Sequence, residues 1–516
     1  MKFDEIFYEQ DCCDVLLIQP NMLQQVSPKY IDPVQTEYWD SLSHVGSLFG
    51  DLPIEPNWGL LYIASSLKAN NYKVSLLDFH LYDYVKFQKT GCFIDIKDIK
   101  NILSLKSFKV VGISSMTLCH DKALEIAKIC KEVNPQCTVI LGGIHFSFVY
   151  EETLKQHQYV DAIIIGEGEY TFLDIMKNLD NKKSWSDIKG LAYHYKNGLF
   201  INAEYGQIQD IYALKYPDYD LWPSDVPLIP RIYTTRGCNG GCSYCIVNKF
   251  FGSTYRTRDT DKVVDELEYL VNKYNFKDVL VGDLNFAVSK AHAINFCKQL
   301  IERNIKVQWW CQMRPDAVDE ELVSLMAKAG CVQIGIGIES AEDDILDGSA
   351  SSKIKKGTTV EDVCKLIQKY NIETQGYFIL GLPGESIRTA IKTIELINHL
   401  TKEGYVDVSH ISVMVPYPGS PIFNQEDCFD VEIADRDFSK FLMNCDYMNS
   451  GVPVVNTSNL SRYQIYSLWQ LALSTASNNF RRRYDVNKPV MFTELSSFSK
   501  NIEFLDFERG MSYECS

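Results

Sequence analysis

Positive charge is the first thing this sequence is short of: 51 Lys+Arg stand against 67 Asp+Glu in 516 residues, a formal net charge of −16. Binding nucleic-acid phosphates needs a large positive field, so nucleic acid is not the expected partner. The one basic cluster, Arg481-Arg482-Arg483, reads as a solvated helix face. Long apolar runs are missing too. No segment reaches the ~18 uninterrupted apolar residues of a membrane helix, and the first residues carry neither the basic start nor the apolar core of a signal peptide. The expectation is a cytoplasmic chain with no membrane partner. There is no GxGxxG after the first strand, no P-loop and no Ser-His-Asp order, which leaves dinucleotide, nucleotidase and hydrolase readings without residues. Cysteine is not scarce, at 16, but it is scattered from Cys12 to Cys515 without the spacing of a disulfide scaffold. Most of these thiols are expected to be buried. Hydrophobic residues at 46% and aromatics at 12% suffice for several cores.

What the sequence does have is two series of alternating strand and helix signals. In the first, the runs Val15–Ile18, Val74–Asp78, Val110–Ser114, Thr138–Leu141 and Ala162–Ile165 are short and uniformly apolar, as in a parallel sheet buried on both faces. Helical patterns over Trp58–Asn70, Lys122–Val133 and Thr171–Leu179 complete a doubly wound α/β domain. Its expected span is 14–185, after a tail of 1–13. A hairpin around Asn197-Gly198 and a proline-punctuated linker fill 186–229. The second series has strands near 231–235, 278–282, 306–311, 332–338, 375–380 and 408–415, and predicts a (β/α)6 partial barrel over 230–425. Residues 426–516 read as a mainly helical region without a motif.

One cysteine group is tight. Arg236-Gly237-Cys238-Asn239-Gly240-Gly241-Cys242-Ser243-Tyr244-Cys245 follows the first strand of the second series. Three thiolates on a glycine-rich loop can converge on one inorganic centre. Structural zinc takes four ligands, and only the distant Cys297 or Cys331 offers a fourth. An iron–sulfur cube held by three cysteines instead leaves one iron open to a substrate or cofactor.

This spacing, with Tyr244 as the aromatic before the third cysteine, resembles the CxxxCxΦC signature of the radical S-adenosylmethionine (SAM) superfamily. The resemblance implies a 4Fe-4S cluster on Cys238, Cys242 and Cys245 whose open iron chelates SAM, and whose electron releases a 5′-deoxyadenosyl radical. In Ile334-Gly335-Ile336-Gly337-Ile338-Glu339, strand alternation puts Gly335, Gly337 and Glu339 on one face, opening space beside a carboxylate. That looks like the family's ribose-binding strand. Asp283 and Asn285 fall where relatives place polar groups near the methionine amine, although Gly282 stands where many relatives have a second acid. The ends of the fifth and sixth strands, at Leu380 and Pro416, would line the adenine site with backbone.

In the first domain the strand ends carry Ser114, Ser115 and Thr117, then Gly142-Gly143, then Glu167-Gly168. A doubly wound sheet binds ligands at such ends. Their order is similar to the cobalamin-binding domain of methionine synthase type, and implies that these residues hold cobalamin. The DxHxxG loop whose histidine ligates cobalt is absent; Gln19-Pro20-Asn21-Met22 stands there instead, so no histidine ligand is expected. His120 and His145 read as hydrogen-bonding loop residues. The combined resemblance spans roughly 14–425 and identifies the chain as a member of the cobalamin-dependent radical SAM group. It implies methyl transfer, through methylcobalamin, to an unactivated carbon of a small-molecule or peptide natural product, with an electron donor such as flavodoxin or ferredoxin. Radical rearrangement, cyclisation or ring contraction is the alternative, and a non-catalytic corrinoid or metal carrier a more distant one. The 22–57 loop and the carboxyl-terminal helices are expected to shape the substrate pocket.

Overall fold

The uniformly apolar runs become the central strands of a parallel sheet. The computed structural model describes residues 3–21, 55–196, 198–203, 208, 210–224, 226, 228–252, 254–349, 358–443 and 452–484. Strands β1 (Val15–Gln19), β2 (Val74–Asp78), β3 (Val110–Ser114), β4 (Thr138–Gly142) and β5 (Ala162–Ile164) pair in parallel in the order β2-β1-β3-β4-β5. Alternation divides each strand between two cores: Val15 and Leu17 join one apolar cluster, Leu16 and Ile18 the other. A strand covered on both faces has no polar side, hence the continuous apolar runs. The connecting helices are α1 (Trp58–Lys68), α2 (Phe79–Thr90), α3 (Ile96–Ser104), α4 (His120–Val133), α5 (Phe146–Gln156) and α6 (Glu169–Lys177). Helices α1 and α6 cover one face and the others the opposite face. Because the chain order reverses beside β1, a crevice opens at the carboxyl ends of β1 and β3.

Two expected boundaries fall inside connected structure. The hairpin is present as β6 (Leu191–Tyr195) and β7 (Gly198–Asn202), but β6 pairs antiparallel with β5. It is therefore the edge of the first sheet, and a boundary at 185 cuts a continuous ladder. The amino-terminal 1–13 is likewise no appendage: Asp11–Cys12 pairs with Lys106–Ser107, and Phe7 is fully buried.

In the second domain β8 (Arg231–Ile232), β11 (Asp278–Val281), β12 (Gln308–Met313), β13 (Cys331–Glu339), β14 (Glu373–Leu380) and β15 (Val408–Val413) form one parallel six-stranded arc in sequence order. A small ribbon, β9 (Thr235–Gly237) with β10 (Tyr255–Thr257), projects from the end of β8 and carries the cysteine loop. Helices α7 (Thr260–Tyr274), α8 (Lys290–Glu302), α9 (Glu320–Lys328), α10 (Val360–Lys369) and α11 (Ile387–Lys402) form the outer layer. Their apolar faces join the same cluster as Val15 and Leu17, so the two domains share a core.

The carboxyl-terminal region, expected to be mainly helical, also contains an antiparallel ribbon of β16 (Val431–Ile433) and β17 (Val455–Thr457), before helix α12 (Arg462–Tyr484). Helix α12 and the segment before it cover the open edge of the arc: Trp469 Nε1 donates to the Ile411 carbonyl at 2.7 Å, and Val413 N donates to Met443 O at 2.8 Å. Edge-strand groups that would otherwise attract another strand are thus satisfied. Residues 22–54, Asn197, the side chains of Arg481–Arg483 and Cys515 lie outside the described residues.

Candidate functional site

The cysteine loop stands at the carboxyl end of the arc. Cys238, Cys242 and Cys245 form no disulfide and are half-buried, whereas most other described cysteines are buried. A Cβ built on Gly240 would lie 3.4 Å from Cys238 Sγ and 3.8 Å from Cys242 Sγ, so two of the thiols face one point. The loop is tied down from outside: Ser243 donates through N and Oγ to Ser349 O, each at 2.8 Å, and Ile422 N donates to Ser243 O at 3.1 Å. The distant thiols considered for zinc are elsewhere. Cys297 and Cys331 are buried with Cys311 in the barrel wall, where burial and then the Cys331 sulfur push the Cys297 thiol up. Among the described residues no three His, Cys, Asp or Glu side chains converge as on a single metal ion. An iron–sulfur cube spreads three cysteines over three irons, so this donor set fits a cube better than zinc.

Tyr244 lies between the thiols and β13. Its phenol is pushed up by burial, then by the Glu339 carboxylate and the Cys242 and Cys245 sulfurs. Glu339 is buried at the end of β13, at a register shift, with φ of 64°. The bulge turns its side chain toward Tyr244 and Tyr377, the inner side of the arc.

The other expected SAM contacts have protein partners of their own. Asp283 is buried, and its carboxylate accepts from Thr234 N at 2.7 Å, Thr235 N at 3.0 Å and Thr234 Oγ1. Burial pushes its pKa up to about 6, against those hydrogen bonds. It shapes the strand end that leads into the cysteine loop. Gly282 has no room for a second acid, since a Cβ there would come within 2.7 Å of the Arg231 side chain. Asn285 Oδ1 accepts from Arg314 N at 3.3 Å. Gly335 does not open space, because a Cβ would meet Tyr377 Cε2 at 2.8 Å; the ring fills what the missing side chain vacates. Gly337, two residues further along, is half-exposed and pairs with Tyr377. Leu380 and Pro416 are buried, and the Leu380 carbonyl already accepts from Met414 N at 2.8 Å.

Sequence reading missed a polar chain inside the arc. Gln312 Nε2 donates to Tyr377 Oη at 2.9 Å, Tyr377 Oη donates to Gln375 Oε1 at 2.8 Å, and Gln375 Nε2 meets His410 Nε2. The Tyr377 and His410 rings stack with centroids 5.2 Å apart. Burial pushes His410 down to about 4, keeping it neutral. The signal was available: Gln375 and Tyr377 stand two apart on one strand, and His410 and Ser412 two apart on the next with Ile411 between them, at the strand period.

At the crevice of the first domain, Ser115 N donates to Gly142 O at 3.0 Å and Ser115 Oγ to Met116 O at 2.8 Å. Gly143 has φ of 87°, and a Cβ there would meet Ser115 N at 2.7 Å and Ser114 Oγ at 2.8 Å. It packs against the serine loop rather than facing open space, whereas Gly142 has only ordinary contact with Ile164. Thr117 Oγ1 lies 3.3 Å from His145 Nδ1, and Thr117 O lies 3.0 Å from His120 Nδ1. The imidazoles pack on each other at 4.7 Å and edge-on against Phe438 of the carboxyl-terminal region, at 5.4 and 5.0 Å. Burial and then His120 push His145 down to about 3. At the ends of β1 and β2 the buried acceptors Asn21 Oδ1 and Asp78 Oδ2 have no hydrogen-bond partner. Acceptors left over at a strand-end crevice suit a ligand rich in N–H donors, as the amide side chains of a corrin are.

Glu167, expected to touch cobalamin, is an ion-pair partner of two arginines of the second domain. It is held by Arg236 Nη1 at 2.8 Å and Arg256 Nη1 at 2.7 Å, while Arg236 Nη2 holds Glu169 at 2.6 Å. Gly168 packs on Ile63. Arg236 is two residues before Cys238, so this buried network ties the cysteine loop directly to the end of β5.

Comparisons with known proteins agree with this arrangement. The family described as Radical SAM superfamily matches residues 232–397, and the B12 binding domain matches 52–176. The anaerobic magnesium-protoporphyrin IX monomethyl ester cyclase of Rubrivivax gelatinosus is 30% identical over 425 residues, covering 78% of this chain and 73% of the relative. An uncharacterized methyltransferase of Pyrococcus horikoshii is 28% identical over 377 residues, 71% of this chain and 78% of the relative. Among solved structures, the radical SAM methyltransferase TsrM from Kitasatospora setae, with cobalamin and a 4Fe-4S cluster bound, superposes with TM-score 0.64 at 18% identity, over 91% of this chain and 89% of TsrM. The two matched domains in this order, with the relative at 30% identity, place the chain in the cobalamin-binding radical S-adenosylmethionine family.

Proposed function

We propose that this enzyme transfers a methyl group to an unactivated carbon of a small-molecule or peptide substrate. The observation that carries the reading is the buried Arg236–Glu167–Glu169 junction, which fixes the cysteine loop against the cobalamin-type domain. The methyltransferase names of the Pyrococcus relative and of TsrM, the latter also solved with tryptophan and a SAM analogue, support it. When bound, the cluster and cobalamin supply reductive cleavage of SAM and methyl transfer.

The chain's own residues have distinct tasks. Cys238, Cys242 and Cys245 hold the cluster. Glu339 accepts hydrogen bonds from SAM, Tyr244 closes one side of that space, and Asn285, Gly337, Leu380 and Pro416 bound the rest. Asp283 and Gly335 act one step back, by shaping the β8 end and seating Tyr377. Ser114, Ser115, Thr117, Gly142 and Gly143 form the cobalamin crevice wall, with Glu167 and Gly168 behind it. Cobalamin would be held without a protein imidazole, because the DxHxxG histidine is missing from Gln19-Pro20-Asn21-Met22 after β1, and His120 and His145 are held by Thr117 and covered by Phe438. An electron donor such as flavodoxin or ferredoxin and a cytoplasmic location complete the reading. Among the described residues no helix is long and apolar enough to cross a membrane.

A cyclase at 30% identity supports a second reading, radical cyclisation without methyl transfer. Anaerobic turnover with candidate substrates separates the two. Methylation yields S-adenosylhomocysteine together with 5′-deoxyadenosine, whereas cyclisation yields 5′-deoxyadenosine alone.

A further inference from the structure

The cysteine loop has a cation directed at it that no motif marks. Arg314 follows β12, with its backbone N held by Asn285. Its Nε and Nη2 are bound to the two oxygens of Asp316, at 3.0 and 2.8 Å. The remaining edge of the guanidinium turns to the loop: the point 3.4 Å from Cys238 Sγ and 3.8 Å from Cys242 Sγ is 3.7 Å from Arg314 Nη1. The hydrogen bonds that Arg314 donates to Asp316 and then, against burial, the Asp316, Cys242 and Cys238 charges favour the protonated form. The carboxylate therefore sits on the far side of the guanidinium and serves as its anchor. Arg236, by comparison, is already matched by two buried carboxylates.

We propose that Arg314 is a positioning residue for electron entry: its anchored guanidinium raises the reduction potential of the cluster on Cys238, Cys242 and Cys245. The inference rests on the cluster reading above. Adding one electron makes a thiolate-ligated cluster more negative, and a fixed positive charge nearby stabilises the reduced state more than the oxidised one. The charge is partly exposed and partly offset by Asp316, which brings the effect to about tenfold in the one-electron reduction equilibrium, ~59 mV.

Wild type, Arg314→Lys, Arg314→Gln and Arg314→Met are reconstituted anaerobically with iron and sulfide, without SAM or cobalamin. Iron and acid-labile sulfide are counted, and the reduced cluster is followed by electron paramagnetic resonance through a potentiometric titration. The Gln and Met variants are expected to fall by about tenfold in the reduction equilibrium, with Lys within about threefold of wild type. If one neutral variant loads no cluster, the other carries the comparison. Equal potentials in cluster-loaded wild type and neutral variants overturn the proposal. A wild-type chain that assembles no cluster overturns the reading beneath it.

Discussion

Replacing Arg236 by Met tests whether the two domains are locked through charge. The Arg236 side chain is 12% exposed, against 2% for Glu167 and 5% for Glu169. Methionine keeps much of the volume and removes the cation. Glu167 retains Arg256 at 2.7 Å, but Glu169 loses the guanidinium at 2.6 Å and stays buried. Breaking a buried pair from one side costs ~3–5 kcal/mol, mostly from the charge left behind. The double variant Arg236→Met/Glu169→Gln removes that charge, so it should recover about half of the loss or more. The assay is urea unfolding of the four proteins of the cycle, followed by tryptophan fluorescence, since Trp58 and Trp185 report on the first domain. If Arg236→Met unfolds within ~0.5 kcal/mol of wild type, or if Glu169→Gln deepens its loss, the network is not the lock argued here.

Gly143→Ala forces a side chain onto a residue with φ of 87° and within 2.7 Å of Ser115 N. It should cost ~1–2 kcal/mol or more and weaken cobalamin binding in a spectrophotometric titration, whereas Gly142→Ala should do neither. His145 has a folded pKa pushed down to about 3, below the unfolded value of ~6.5. The unfolded chain then takes up a proton that the folded one refuses, so stability present above pH ~6.5 is lost as pH falls toward 3. His145→Gln should flatten the unfolding free energy between pH 6.5 and 5, and an unchanged slope would show that another group titrates there. Glu339→Ala should weaken SAM binding ~10- to 150-fold, the worth of a charged hydrogen bond, with Glu339→Gln milder and cobalamin binding unchanged. Equal affinity in wild type and the Ala variant, by calorimetry, removes Glu339 from the site.

The strands and the cysteine loop were legible because each is written in a few adjacent residues. A run such as Val15–Ile18 can satisfy only a doubly covered strand, and three cysteines within eight positions declare a shared centre. What sequence could not give is which partner claims a polar side chain across the fold. Glu167 and Asp283 stand at strand ends, where sequence shows nothing of the bonds that Arg236, Arg256 and Thr234 make to them. Gly335 reads as vacancy until Tyr377, 42 positions later, proves to fill it. Phe438 against His120 and His145 carries no local signal at all. The hairpin was visible as a hairpin, but its pairing to β5 depends on a sheet edge that sequence order does not specify.

The central claim is that Cys238, Cys242 and Cys245 hold a cluster that cleaves SAM, in a chain that holds cobalamin separately. Its most direct test is 5′-deoxyadenosine formation by wild type and by the variant with all three cysteines changed to Ala, each reconstituted anaerobically with iron, sulfide and cobalamin and reduced with dithionite. The account predicts 5′-deoxyadenosine from wild type and none from the variant, with equal cobalamin bound to both. A variant that still produces 5′-deoxyadenosine would contradict it.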